Sequence, residues 1–290
     1  MEPDLKAKYR YVLDGISQIP SLPSIVSKII GIINNPRSNA NDVVRLLEMD
    51  VGLSGKVLRL ANSAYYGIPG GITSSQRAVT QLGFNAVSSI VISASVYNLF
   101  KSTEPSQAIN RVAFWRHSIE TAIYCRVLAG LMDRRIDPEI AFTQGMLHDI
   151  GALALDTTFP KEYLAVVDAA RVAGVPLEQK EREMFGLDHH QIGARILERW
   201  SLPDVVRLPV ENIHSEHSDA SIREYVLVLA LANSVAHSKG VVLYSSQFQE
   251  EVNLENALVK LGITQTRESL FQQFEEELEK AKLIMNLLRS

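Results

Sequence analysis

The stretch DPEIAFTQGMLHDIGALAL, Asp137 to Leu155, reads as one helix with an apolar stripe, carrying an adjacent His148 and Asp149 among Met146, Leu147 and Ile150. Asp137 supplies an N-cap, Pro138 a first-turn position where its missing N–H costs little, and Glu139 an acid suited to the positive end of the helix dipole. A His-Asp pair on such a helix serves either as two metal ligands or as ordinary polar residues. Adjacent ligands on one helix point about 100° apart, so any further coordination must come from other helices.

Outward from this segment, almost every stretch shows helical rather than alternating periodicity. In SLPSIVSKIIGIIN the residues Ile25, Ile29, Ile32 and Ile33 recur at the spacing of one helix face, with Pro23 near the start. NANDVVRLLEMD and VGLSGKVLRLANSAYYG follow, divided at Asp50, a cap for the second. SSQRAVTQLG and FNAVSSIVISASVYNLF are separated by Gly83, and the polar KSTEPSQ, Lys101 to Gln107, reads as a hinge between two helical lobes. AFWRHSIETAIYCRVLAGLM is a long helix. DHHQIGARILERW opens with Asp188 three residues before Gln191, a capping-box variant, and ends before Pro203. Ser221 and Glu224 repeat that pattern before YVLVLALANSVAH, with Gly240 as its stop, and TRESLFQQFEEELEKAKLIMNLLRS is a charged amphipathic helix whose EEELE run is a solvated face. A short extended piece at YSSQF, near Tyr244, supports no sheet, so the expected class is all-α.

With 290 residues, 46% of them hydrophobic, the chain can bury a sizeable core. A formal net charge of −4 argues against nucleic acid as a partner. The charged start MEPDLKAKYR has no apolar segment behind it, and no apolar run approaches the roughly 20 residues needed to span a bilayer. A cytoplasmic protein without membrane attachment is the expectation. The single cysteine, Cys125, lies in an apolar helical setting that suits packing rather than nucleophilic chemistry. Neither a Gly-rich phosphate loop nor a Ser-His-Asp spacing is present. Arg59, Asn62, Ser63 and the Tyr65–Tyr66 pair in LRLANSAYYG read as a partner-facing or a lobe-joining surface, the latter favoured because aromatic side chains contribute large buried area.

Of the seven histidines, six fall between Arg116 and Ser218: His117, His148, His189, His190, His214 and His217. A lone histidine on a helix is ordinarily a packed or surface residue, and it is the clustering that points to a site. Several imidazoles with a carboxylate suit one or two divalent transition-metal ions such as iron, manganese or zinc.

IPSLPSIVSKIIGIIN, LRLANSAYYG, AVTQLGFNAVSSIV and FGLDHHQIGARILERWSLP, in this order from Ile16 to His217, resemble the HDOD family, bacterial signal-output domains related to the HD phosphohydrolases. The resemblance implies a two-lobed all-helical fold: residues 1–107 as an N-terminal lobe, 108–217 as an HD-like lobe, and 218–290 as helices packing on the latter. Compared with catalytic HD proteins, including the HD-GYP phosphodiesterases, His117, the His148–Asp149 pair, His189 and His214 match metal ligands in order, with Asp149 as the bridging ligand if two ions bind. His190, His217 and Asn233 are additional site candidates.

Three departures stand against catalysis. Ala152 replaces the lysine of HDIGK that can neutralise phosphate, Ser215 replaces a second histidine with no GYP after it, and Asn233 stands where the family has an aspartate. Asn is neutral and a poorer ligand, and a buried interhelical hydrogen bond is its competing role. No catalytic residue is assigned. The expected function is therefore a regulatory output module acting through a signalling protein of unknown identity or a nucleotide ligand. The alternative is a metal-dependent phosphohydrolase acting on a nucleotide or cyclic dinucleotide.

Overall fold

A computed structural model describes residues 3–101, 108–133, 136–215, 219–238 and 253–289. The chain is all-α: among the described residues the sole departure towards β structure is a bridge position at Ile109. The 102–107 part of the expected hinge, His217, Gly240 and the YSSQF segment lie outside the described residues.

The first helix, α1 (Pro3–Ile16), was not marked by any cap or stripe in the sequence, and it packs against helices far along the chain. Helices α2 (Ser24–Ile33), α3 (Ala40–Glu48), α4 (Val51–Ala61), α5 (Ser75–Leu82) and α6 (Phe84–Phe100) pack on one another. Asp50 caps α4 by accepting from the Leu53 N–H, and Gly83, at φ 86°, turns the chain between α5 and α6. On α2 the buried face is Val26, Ile29 and Ile30, whereas Ile25, Ile32 and Ile33 are only partly covered. The buried stripe is thus rotated by one position from the one the sequence suggests.

Helix α7 (Arg111–Gly130) runs through the centre, covered by α8 (Pro138–Leu147), α14 (Arg223–Ser238) and α16 (Arg267–Arg289). This enclosure buries His117, Glu120 and Cys125 on a single helix, and burial pushes the Cys125 thiol above its ordinary range. Around α7 and α8 come α9 (Ile150–Thr158), α10 (Pro160–Ala173), α11 (Leu177–Phe185), α12 (His189–Arg199) and α13 (Asp204–Glu211), while α15 (Leu254–Leu261) rests on α14. Helix α1 packs on α9 and α11, and Arg199 at the end of α12 donates to the carbonyls of Ile16 and Ile19. One continuous apolar core extends from Val12 to Ala281.

Tyr65 and Tyr66 meet edge to face at 5.2 Å, and the Arg126 guanidinium of α7 lies over both rings, 4.7 and 5.1 Å from their centroids. The tyrosine pair therefore joins the N-terminal helices to α7. Among the described residues no single helix is long and apolar enough to cross a membrane.

The opening segment is not one helix but two. Asp137 caps α8 by accepting from the N–H groups of Glu139 and Ile140, but the helix stops at His148, and α9 begins after Asp149, at φ −99°, ψ 9°. Nδ1 of His148 lies 2.8 Å from the Gly145 carbonyl, so the imidazole turns back on its own helix, and Asp149 O accepts from the Ala152 N–H at 2.9 Å to start the next. The expected 100° divergence of the pair does not apply at this break. At Ser221 too the local expectation fails: its hydroxyl bonds to Asp219 rather than capping α14.

Candidate metal centre

Four helix segments deliver the central side chains. His117 comes from the buried face of α7, and His148 and Asp149 from the break between α8 and α9. His189 and His190 are the first two residues of α12, fixed there by a reciprocal capping box between Asp188 and Gln191. Two glycines set the helix separations. A Cβ at Gly145 would meet the Ala122 Cα at 2.6 Å, so α7 and α8 touch backbone to backbone. A Cβ at Gly151 would fall 1.9 Å from the His189 carbonyl oxygen, so α9 and α12 do the same.

Nε2 of His117 and Nε2 of His148 are 3.2 Å apart, and Oδ2 of Asp149 lies 3.6 and 3.1 Å from them. The other oxygen, Oδ1, lies 3.6 Å from Nε2 of His189. Asp149 is 3% exposed and both of its oxygens are directed at imidazole nitrogens. Burial pushes its carboxyl up, and His148 and His189 outweigh this to hold it well below the ordinary value. Burial holds His117 well below its ordinary value, leaving the neutral ring that a metal requires. A carbonyl can only accept, so Nδ1 of His148 donates to Gly145, which leaves Nε2 as the ring atom directed at the cluster.

His189 is supported from behind. Glu181 Oε2 accepts from Nδ1 of His189 at 2.6 Å and from its backbone N–H at 2.9 Å, while Tyr163 donates to Oε1 at 2.9 Å. Burial lowers the affinity of His189 for its second proton, but Glu181 and Asp149 outweigh it and raise the pKa well above the ordinary value. Were a cation held by Nε2 of His189, the Glu181 contact would support it as a carboxylate–histidine–metal relay.

Three donor atoms at edges of 3.1, 3.2 and 3.6 Å fit a cation closely: metal–ligand bonds of about 2.0–2.1 Å in a tetrahedron require edges of about 3.3–3.4 Å. Nδ1 of His117 and Oδ1 of Asn233 are also buried with no hydrogen-bond partner among the described residues. Two imidazoles with one carboxylate suit a divalent transition metal. The buried clusters can therefore coordinate such an ion.

The remaining sequence candidates distribute unevenly. Asn233, on α14, adjoins His117 and favours protonation of its imidazole against the effect of burial. His214 does not join Asp149. Its Nε2 lies 3.2 Å from Nε2 of His190 and 3.4 Å from Oε1 of Glu178. His190 is within ligand reach of both the Asp149–His189 pair and the Glu178–His214 pair. Ser215 spends its N–H on the Asn212 carbonyl, and Ala152 is fully buried.

Sequence reasoning missed Glu178, Glu181 and His237. The two acids sit in LEQKEREMF, the highly charged sequence of α11. Yet Leu177, Glu181 and Phe185 share one buried stripe at i, i+4 and i+8, and an acid inside an apolar stripe was the available signal. His237 lies one turn beyond Asn233, its ring 4.1 Å from that of His117, and burial holds its pKa down to about 4.

The HDOD-domain family model matches residues 19–216. A protein of Treponema pallidum (strain Nichols) without a characterised role is 25% identical over 223 residues, 77% of this chain and 43% of that one. The cyclic di-GMP phosphodiesterase CdgJ of Vibrio cholerae is 30% identical over 133 residues, 45% of this chain and 29% of that one. The chain thus spans less than half the length of either curated relative. A crystal structure from Shewanella amazonensis SB2B, provisionally described as a phosphohydrolase, superposes with a TM-score of 0.75 at 25% identity, covering 96% of this chain and 97% of that one. An HDOD domain protein of unknown function from Geobacter sulfurreducens gives the same TM-score at 24% identity, over 96% and 95%. With a match over residues 19–216 and an HD-type cluster of buried histidines around Asp149, this chain belongs to the HDOD family.

Proposed function

We propose that this protein is a metal-dependent phosphohydrolase within a signalling module, acting on a nucleotide or cyclic dinucleotide. The observation that carries the reading is Asp149, whose two oxygens face different imidazoles, Oδ2 towards His117 and His148 and Oδ1 towards His189. A carboxylate so placed is suited to bridge two ions, with His117, His148, Asp149 and His189 as the ligands. When bound, a divalent ion supplies an electrophile for a phosphoryl oxygen and a water of lowered pKa. The chain's own contribution is orientation: Gly145 fixes the tautomer of His148, and Glu181 with Tyr163 fixes His189. The name of the Vibrio relative supports cyclic dinucleotides as the substrate class.

A second reading, a regulatory module that binds a signalling protein or a nucleotide without turnover, is favoured by one feature. Ala152 is buried and apolar where the lysine of catalytic relatives would neutralise phosphate. The deciding experiment incubates full-length protein, loaded with manganese, iron or zinc, with a panel of cyclic and linear nucleotides. Turnover that disappears in folded Asp149→Asn establishes the hydrolase. Folded, metal-loaded protein that turns over none of the panel overturns it, and a rise in Tm with a nucleotide that stays intact selects the second reading.

A further inference from the structure

We propose that Glu178, His190 and His214 form a separate cation site beside the Asp149 cluster, holding a divalent transition ion with coordination positions open to solvent. Its three donor atoms come from α11, α12 and the segment after α13. Nε2 of His190 and Nε2 of His214 are 3.2 Å apart, and Oε1 of Glu178 lies 3.8 and 3.4 Å from them. These edges bracket the roughly 3.3–3.4 Å that a tetrahedral ion with bonds of about 2.0–2.1 Å requires. Two imidazoles and a carboxylate on one face, with the other face free, are the donor set of ferrous and zinc sites that take up an exogenous ligand.

The burial is graded in the way such a site needs. The His190 side chain is 3% exposed, Glu178 19% and His214 53%, so the cluster is anchored on one side and open on the other. Nδ1 of His190 faces the His148 carbonyl at 3.4 Å, which leaves Nε2 to ligate. An ion bound there would engage His190, which also lies within ligand reach of Asp149 and His189. It would also bring positive charge beside the Asp149 cluster, with open positions for a phosphate oxygen. That last consequence rests on the hydrolase reading, whereas the binding of the ion does not.

The test is calorimetric titration of chelator-treated, tag-free full-length protein with Zn2+, repeated with Co2+ and read by visible absorption. Glu178→Gln and His214→Ala should each abolish one equivalent, or weaken it by about tenfold or more, while the class that depends on Asp149 remains. Asp149→Asn should do the converse. His214 is half exposed, so its replacement does not threaten the fold, and circular dichroism checks this. Unchanged stoichiometry and affinity in both Glu178→Gln and His214→Ala overturn the separate site, whatever the protein's activity. A protein that never turns over a phosphoester, yet loses one equivalent in both variants, retains the separate site and loses only the hydrolase reading.

Discussion

Glu181 is bonded twice to His189, through the ring Nδ1 at 2.6 Å and through the backbone N–H at 2.9 Å. A fully buried carboxylate therefore fixes both the tautomer of this imidazole and the first turn of the helix that carries it. Removing the charge at Glu181 should lower metal affinity while leaving every metal-facing atom in place. Glu181→Gln is expected to weaken Zn2+ binding by roughly 10–100-fold, measured by competition with a chromophoric chelator. Wild-type affinity in the folded variant would show that the relay does not tune the ion.

Gly151 sets the distance between Asp149 and His189. Its substitution by alanine places a methyl 1.9 Å from the His189 carbonyl oxygen and 2.6 Å from the Gly193 nitrogen, both backbone atoms. Helices α9 and α12 must separate. Gly151→Ala should lose about 1–3 kcal/mol of stability and most of its metal, seen as a fall in the urea midpoint and in metal per chain. A variant with unchanged metal content would mean that the helices can slide without disturbing the cluster.

Stability of the metal-free protein should fall on the acid side. His237 has a folded pKa of about 4, lowered by burial, against about 6.5 when unfolded. Between these values the unfolded chain binds the extra proton, so the stabilisation is present above pH 6.5 and is lost as pH falls towards 4. His237→Gln should reduce that loss by on the order of 3 kcal/mol, read from urea midpoints in the presence of a chelator. His189 acts in the opposite direction: its raised folded pKa makes the metal-free protein lose stability as pH rises above 6.5.

Arg126 offers a control away from the metal ligands. It lies over Tyr65 and Tyr66 and pairs with Glu139 at 2.8 Å, and Glu139 is largely buried. Arg126→Ala removes the stacking and leaves Glu139 without its cation, at a cost of about 2 kcal/mol. Metal stoichiometry should not change. A loss of metal in the folded variant would mean that the tyrosine joint and the cluster are coupled through α7 and α8.

The helical class, the caps at Asp50, Asp137 and Asp188, the turn at Gly83 and the buried setting of Cys125 were all readable from the sequence. Each depends on a backbone group or an apolar residue within about a turn of its partner, so local order carries the information. The ordered histidines with Asp149 pointed to metal-donor chemistry for the same reason: residue type alone decides whether a donor atom exists. Tertiary packing decided how those donors are grouped. His117, Asp149 and His189 meet only because α7 and α8 touch at Gly145, and α9 and α12 touch at Gly151. His214 pairs with Glu178 across separate helices, a partnership that no spacing encodes. The break at His148 and Asp149 was hidden as well, since an apolar stripe looks the same whether the helix continues or an imidazole has turned back onto its own carbonyl.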